Sequence, residues 1–181
     1  MDLDHTSFSH GQIVSKIWLC DNIEKYLKPN TKIAILGAWY NVLGFMLLTR
    51  YKQITKITGV DVNSDVKEIA NKICDAWPKI VENVTLDADL FDCSNYDIII
   101  NCSPEHMKTN DWFYKIPNKK LVIIQSSNVT IKEDPWLVCN PNATLNQFIN
   151  KYKINNTHFV DTLSIDYTDW GYKRFMMIGE K

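Results

Sequence analysis

Gly37 closes the apolar run 33–36, and Asp61 closes a second run, 57–60; the apolar segment between them has helical length. A strand ending in glycine, a crossover helix and a strand ending in an acid form the first half of a nucleotide-type cofactor site. The glycine lets backbone approach the ligand, and the carboxylate accepts hydrogen bonds from a ribose diol. Together they point to a ligand that carries adenosine. Asn63 or Ser64 can cap the next helix, which leaves Asp61 to the ligand.

A second group, Asn101-Cys102-Ser103-Pro104-Glu105-His106, follows another apolar run. Asn101 stands at the carboxyl edge, where open α/β sheets bind ligands. Histidine titrates near neutrality and suits general-base work, so His106 is a candidate base, and Glu105 can accept a proton in the same way. Helix initiation explains the remainder: serine as N-cap, proline at the first helical position, glutamate at the positive end of the dipole. Cys102 has no evident base beside it and reads as packing. Gln125-Ser126-Ser127-Asn128 follows a further run on the same edge, as a polar loop. His5 and His10 either cover the site or decorate a flexible arm. The four histidines (5, 10, 106 and 158) lack metal-ligand spacing, so no metal is expected.

The elements that must hold these residues follow from periodicity. Ser9-His10-Gly11-Gln12 reads as a capping box. The helix behind it puts Ile13, Ile17, Cys20, Ile23 and Leu27 on one face, and Pro29 ends it. Residues 41–50 read as helix. Residues 64–77 form the clearest one, with Val66, Ile69, Ile73 and Trp77 on one face and Lys67, Glu68 and Lys72 outward. Strands are expected at 33–36, 57–60, 83–86, 97–100 and 121–124. Uninterrupted Ile/Val/Leu runs mark strands buried on both faces of a parallel sheet. In the tail, Leu163, Ile165 and Tyr167 alternate with polar residues. Asp169-Trp170-Gly171 then turns the chain into a last strand, which makes an antiparallel hairpin. Residues 140–153 read as a long polar loop with a short helix.

The chain of 181 residues fits one domain with a proper core, and its 45% apolar and 23% charged content is ordinary for a globular protein. A net charge of −1 without a basic stripe argues against nucleic acid or an anionic membrane as partner. The N-terminus lacks the regions of a signal peptide, and the longest apolar run, 42–48, is too short to cross a bilayer. Five cysteines without a Cys-x-x-Cys pair read as core thiols in a reducing compartment. A cytoplasmic protein is expected; its oligomeric state is open.

Five parallel strands with helices, closed by a C-terminal antiparallel hairpin, resemble the class I S-adenosylmethionine-dependent methyltransferases, in particular a compact bacterial and phage branch. The motif order is similar too: Gly37 ends the first strand, Asp61 the second, Asp87-Ala88 the third, and the 101–106 group follows the fourth. The resemblance implies one compact α/β unit, a Rossmann-like three-layer sandwich on a mostly parallel seven-stranded sheet over residues 31–181. Residues 1–30 form an N-terminal cap segment and helix. It implies S-adenosylmethionine as cofactor. Asp61 takes the ribose hydroxyls, Asp87 the adenine amine, and Gly37, Trp39 and the backbone through Asn41 line the methionine end. Asn63, Ala88 and Asn101 complete the cofactor-binding set, and His106 or Glu105 accepts a proton as the methyl moves.

Gly37-Ala38-Trp39-Tyr40-Asn41 carries one glycine where that family usually places two or three. A dinucleotide needs its pyrophosphate against bare backbone at a helix N-terminus, so this loop disfavours NAD. S-adenosylmethionine brings no phosphate there, and Trp39 can contact its sulfonium through a cation–π interaction. The 103–106 sequence also departs from the Asn/Asp-Pro-Pro-aromatic box of methyltransferases that act on nucleic-acid amines. The expectation is therefore methyl transfer to an oxygen or nitrogen of a small polar molecule. The rival is a non-catalytic domain of the same fold that binds the cofactor or a protein partner. A nicotinamide-dependent oxidoreductase comes third.

Overall fold

The computed structural model describes residues 3–130 and 137–181. Its strands are β1 (Thr31–Leu36), β2 (Ile54–Asp61), β3 (Val81–Thr85), β4 (Ile98–Asn101), β5 (Leu121–Ser127), β6 (Asn156–Asp166) and β7 (Gly171–Glu180). They form one sheet in the order β3-β2-β1-β4-β5-β7-β6. The first five run parallel, and β7 pairs antiparallel with both β5 and β6. The expected seven-stranded sheet with its closing hairpin is thus the observed one.

Alternation along the inner strands builds two cores. Ile33 and Ile35 of β1, with Ile98 and Ile100 of β4, face one layer, which holds α1 (His10–Ile23) and α2 (Val42–Arg50). Ala34, Leu36 and Ile99 face the other layer, which holds α4 (Asp111–Lys115) and α5 (Leu145–Lys151). Both faces of β1 and β4 are covered, so each residue in these runs must be apolar, and each fully buried aliphatic side chain contributes about 1.5–3 kcal/mol. α3 (Lys67–Ile73) packs beside α2 through Ile69 and Ile73, on a cluster of Tyr40, Val42 and Val66. No helix among the described residues is long and apolar enough to cross a membrane.

Three local expectations need correction. Ser9 is the N-cap of α1, but its side chain makes no capping bond, so the capping box is absent. The α1 residues buried deepest are Gly11, Ser15, Leu19, Cys20 and Ile23, while Ile13 and Ile17 are only half-buried. Third, the helix expected over 64–77 is a single 3-10 turn (Ser64–Val66) followed by the seven residues of α3. Trp77 instead accepts from the amides of Ile80 and Val81 in the turn that must start β3, with Pro78 inside it.

The reason for the burial of Gly11 and Ser15 lies at the other end of the chain. The Gly11 amide donates to the Tyr167 hydroxyl at 3.0 Å, and a Cβ at Gly11 would collide with the Tyr172 hydroxyl. One turn on, Gln125 Nε2 of β5 donates to the Ser15 carbonyl at 2.9 Å in a buried bond. α1 is therefore clamped between β5 and the hairpin. The N-terminal segment is a wall of the molecule and no loose arm.

Candidate active site

The carboxyl ends of β1, β2 and β4 open into a cavity of about 440 Å³, where the chain reversals of an open α/β sheet leave a crevice. Its base is the β1–α2 loop. Gly37, Trp39 and Asn41 all have positive φ, at 65°, 52° for Asn41 and 51° for Trp39. For non-glycine residues that conformation costs about 1 kcal/mol or more each, so the surroundings must hold it. They do. Ala38 N donates to Val60 O at 3.0 Å, Trp39 N to Asp61 Oδ2 at 2.8 Å and Asn41 N to Ala38 O at 2.8 Å. Ser103 Oγ donates to Gly37 O at 3.2 Å. These bonds, and not extra glycines, make the loop.

Asp61 ends β2 half-buried on the cavity wall. Besides Trp39 N, it accepts from Asn63 N at 3.0 Å. Two amides occupy two of its roughly four acceptor sites, which leaves lone pairs for a diol. Asp87 follows β3 and caps a 3-10 turn, accepting from Asp89 N at 2.9 Å, and it also faces the cavity with Ala88 and Asp89.

The opposite wall is built differently. Glu105 is 2% exposed and forms an ion pair with Arg174 of β7 at 3.3 Å. Ser126 and Ser127 of β5 each donate to its carboxylate at 3.1 Å, and Arg174 Nη2 donates to the Cys102 carbonyl. His106, next in sequence, is exposed on the cavity, and its Nδ1 lies 3.0 Å from Leu137 O. When Nδ1 carries the proton and donates it there, Nε2 keeps its lone pair. Burial pushes the Cys102 thiol up to about 11, too high for a nucleophile at neutral pH. Among the described residues no three His, Cys, Asp or Glu side chains cluster to hold a metal.

The residues expected at the site therefore fall into two groups. Gly37, Trp39, Asp61, Asn63, Asp87, Ala88, Glu105 and His106 all line the one cavity. Asn41 and Asn101 do not, because both are fully buried. Asn41 sits between Gly44 and Gly59, where a Cβ at either glycine would strike its amide, and it donates to Asn83 Oδ1 at 2.8 Å. It is a strut under the loop. Asn101 Oδ1 accepts from Ser103 N at 3.0 Å and shapes the exit from β4. The segment 125–127 is buried strand and not loop; its side chains brace Glu105 and α1. His5 and His10 are exposed and lie outside the cavity, with His10 edge-on to Tyr167.

Two cavity residues had no motif to flag them. Lys16 reaches the cavity from α1 and Arg174 from β7. Arg174 left one sign in the sequence: an arginine leading directly into Phe175-Met176-Met177-Ile178, a run bound for the core, demands a buried acid. Lys16 left none, since a lysine on an amphipathic helix normally points to water.

No protein-family model and no curated protein matches the amino-acid sequence. Solved structures do match in shape. The YcgJ protein from Bacillus subtilis superposes with a TM-score of 0.71 at 10% identity, over 93% of this chain and 98% of that one. The N-methyltransferase NodS from Bradyrhizobium japonicum, in complex with S-adenosyl-L-homocysteine, gives 0.69 at 8% identity over 94% and 88%. Magnesium protoporphyrin IX methyltransferase from Synechocystis, also with that product bound, gives 0.66 at 11% identity over 93% and 84%. At such identities the likeness is one of fold: this chain has the Rossmann-like architecture on which those methyltransferases are built.

Proposed function

We propose that the chain is an S-adenosylmethionine-dependent methyltransferase acting on an oxygen or nitrogen of a small polar molecule. The observation that carries this reading is the convergence of Asp61 and Asp87 on one cavity beside a loop made of backbone. Three carboxylates, with Asp89, stand on that half. They would repel a pyrophosphate and suit an adenosine joined to a cation, so the residues present fit this cofactor better than a dinucleotide.

Bound there, S-adenosylmethionine supplies a methyl group already activated by its sulfonium. The protein's part is to orient and to exclude water. Asp61 holds the ribose diol, Asp87 the adenine amine, and the loop from Gly37 to Tyr40 the amino-acid end. His106 Nε2 takes the proton that the acceptor oxygen or nitrogen loses. Glu105, its oxygens bonded to Arg174 and two serines, positions that segment, and the wall formed by α1 keeps bulk water out.

One observation favours the rival reading, a binding domain without turnover: Asp61 already has protein partners on both oxygens. Calorimetric titration with S-adenosylhomocysteine, followed by methyl transfer to a panel of small acceptors, decides between them. Micromolar binding with turnover is expected, and binding without any turnover supports the rival. No binding ends the methyltransferase reading and leaves only a domain that binds a protein partner.

A further inference from the structure

The sheet order divides the cavity. Asp61 and Asp87 leave β2 and β3 on one side of β1, whereas Cys102, Glu105 and Arg174 belong to the side of β4, β5 and β7. Adjacent strands lie about 4.8 Å apart, so the four steps from β2 to β7 span about 19 Å. The second half is therefore beyond the cofactor's ribose and adenine.

Lys16 enters that second half from α1. Its Nζ donates to Gln12 Oε1 at 2.5 Å, and no described carboxylate lies within ion-pair distance of it. Arg174 and Glu105 pair with each other. Of the two remaining lysines on the lining, Lys108 is exposed to solvent, whereas Lys16 is drawn into the wall without a counter-ion among the described residues. Arg174 Nε is buried and has no acceptor among the described residues. Burial pulls the Lys16 ammonium down to about 8, the nearby guanidinium of Arg174 adding to the effect. A cation drawn out of water beside a second cation, next to an unsatisfied donor, is costly until an anion joins it.

We propose that Lys16, oriented by Gln12 and backed by Arg174, binds a carboxylate of the methyl acceptor, which makes the acceptor a small organic acid. This rests on the methyltransferase reading of the same cavity and narrows its substrate class. The carboxylate is a handle that fixes the acceptor's orientation. Its charge replaces the missing partner of Lys16, and Gln12 Nε2 offers a further donor beside it. The same chemistry is available from the amino-acid end of the cofactor, which lies over β1, and the experiment separates the two sources.

S-adenosylhomocysteine and methylthioadenosine, which lacks the amino-acid end, are titrated into wild type and Lys16→Met. Benzoate, salicylate and phenylacetate, each against its primary amide, are then titrated with S-adenosylhomocysteine saturating. Wild type should bind at least one acid about 10- to 100-fold more tightly than its amide. Lys16→Met should lose that preference with unchanged affinity for S-adenosylhomocysteine, and Lys16→Arg should regain it. Equal affinity for acids and amides, no acid binding, or a preference that survives in Lys16→Met overturns the proposal. So does a Lys16→Met variant weakened toward S-adenosylhomocysteine but not methylthioadenosine, which would assign Lys16 to the cofactor. If wild type binds no S-adenosylhomocysteine, the cofactor reading has failed before any acid is added, and the acceptor assignment falls with it.

Discussion

The two walls of the cavity solve the same problem by opposite means. On the side of β1, β2 and β3, groups are held by neighbours a few residues away or one strand over: Asp61 binds the amides of Trp39 and Asn63, and Asp87 binds that of Asp89. On the side of β4, β5 and β7, everything depends on distant partners. Glu105 meets Arg174 across 69 positions of sequence, and Gln125 meets Ser15 across 110. The first wall is backbone and solvated acid; the second is a buried ion pair with serines packed round it. A wall made of backbone tolerates surface change and presents fixed donors. A wall made of buried charge fails as a unit when one member is removed.

That contrast predicts a hierarchy of effects. Arg174→Met leaves Glu105 uncompensated in the interior and should cost about 3–5 kcal/mol of stability in chemical denaturation. The double variant Glu105→Gln with Arg174→Met should recover much of the loss. A single variant as stable as wild type would mean that the second wall is no unit. Next, Asp61→Ala should weaken S-adenosylhomocysteine by about 10- to 100-fold in calorimetry while costing only about 1–2 kcal/mol of stability, for the amides of Trp39 and Asn63 that lose their acceptor. If it unfolds the protein instead, the first wall is as interdependent as the second. Gly59→Ala sharpens the picture of the loop. Its Cβ would stand 2.7 Å from Asn41 Nδ2 and from Asn83 Oδ1, so a cost of about 1–3 kcal/mol is expected, with weaker cofactor binding as the strut shifts.

The last effect is electrostatic and is read as a slope against pH. An unfolded lysine titrates near its ordinary 10.5, and folded Lys16 near 8. Below pH 8 both states carry the proton and the burial penalty is complete. Between the two values the unfolded chain binds more protons, so this group makes stability rise with pH. Lys16→Met removes the penalty at every pH. Its stability advantage over wild type should therefore shrink as pH climbs from 8 to 10.5, and a constant advantage would show that Lys16 is not desolvated.

What could be read from the sequence follows the same division. The inner strands were legible because residues covered on both faces leave an unbroken apolar run, as at 33–36 and 121–124. Asp61 stood out as a candidate because it ends such a run at the edge where open sheets bind ligands. Asp87 follows the mixed polar strand Val81–Thr85 and stood out only through the resemblance. Lys16 was not legible, and Arg174 showed only as a charge beside a core-bound run, because their meaning depends on which distant residues they meet. Polar Gln125, Ser126 and Ser127 looked like loop for the same reason: their partners, Ser15 and Glu105, come from other elements. Helix ends were misplaced where tertiary demand overrode periodicity. The spacing of Ile69, Ile73 and Trp77 is helical, yet the chain had to turn by Pro78 to begin β3.

The place of β7 between β5 and β6 has a consequence in time. Synthesis delivers Glu105, Ser126 and Ser127 well before Arg174, and a carboxylate cannot settle into the interior without its guanidinium. α1 is made before every strand of the sheet, but its seat includes Tyr167 and Tyr172. A growing chain can therefore assemble the cavity wall built on β1, β2 and β3 while the wall of Glu105 and Arg174 is still open. The cavity closes only when α1 and β7 find each other, so a chain halted before β7 lacks its second wall.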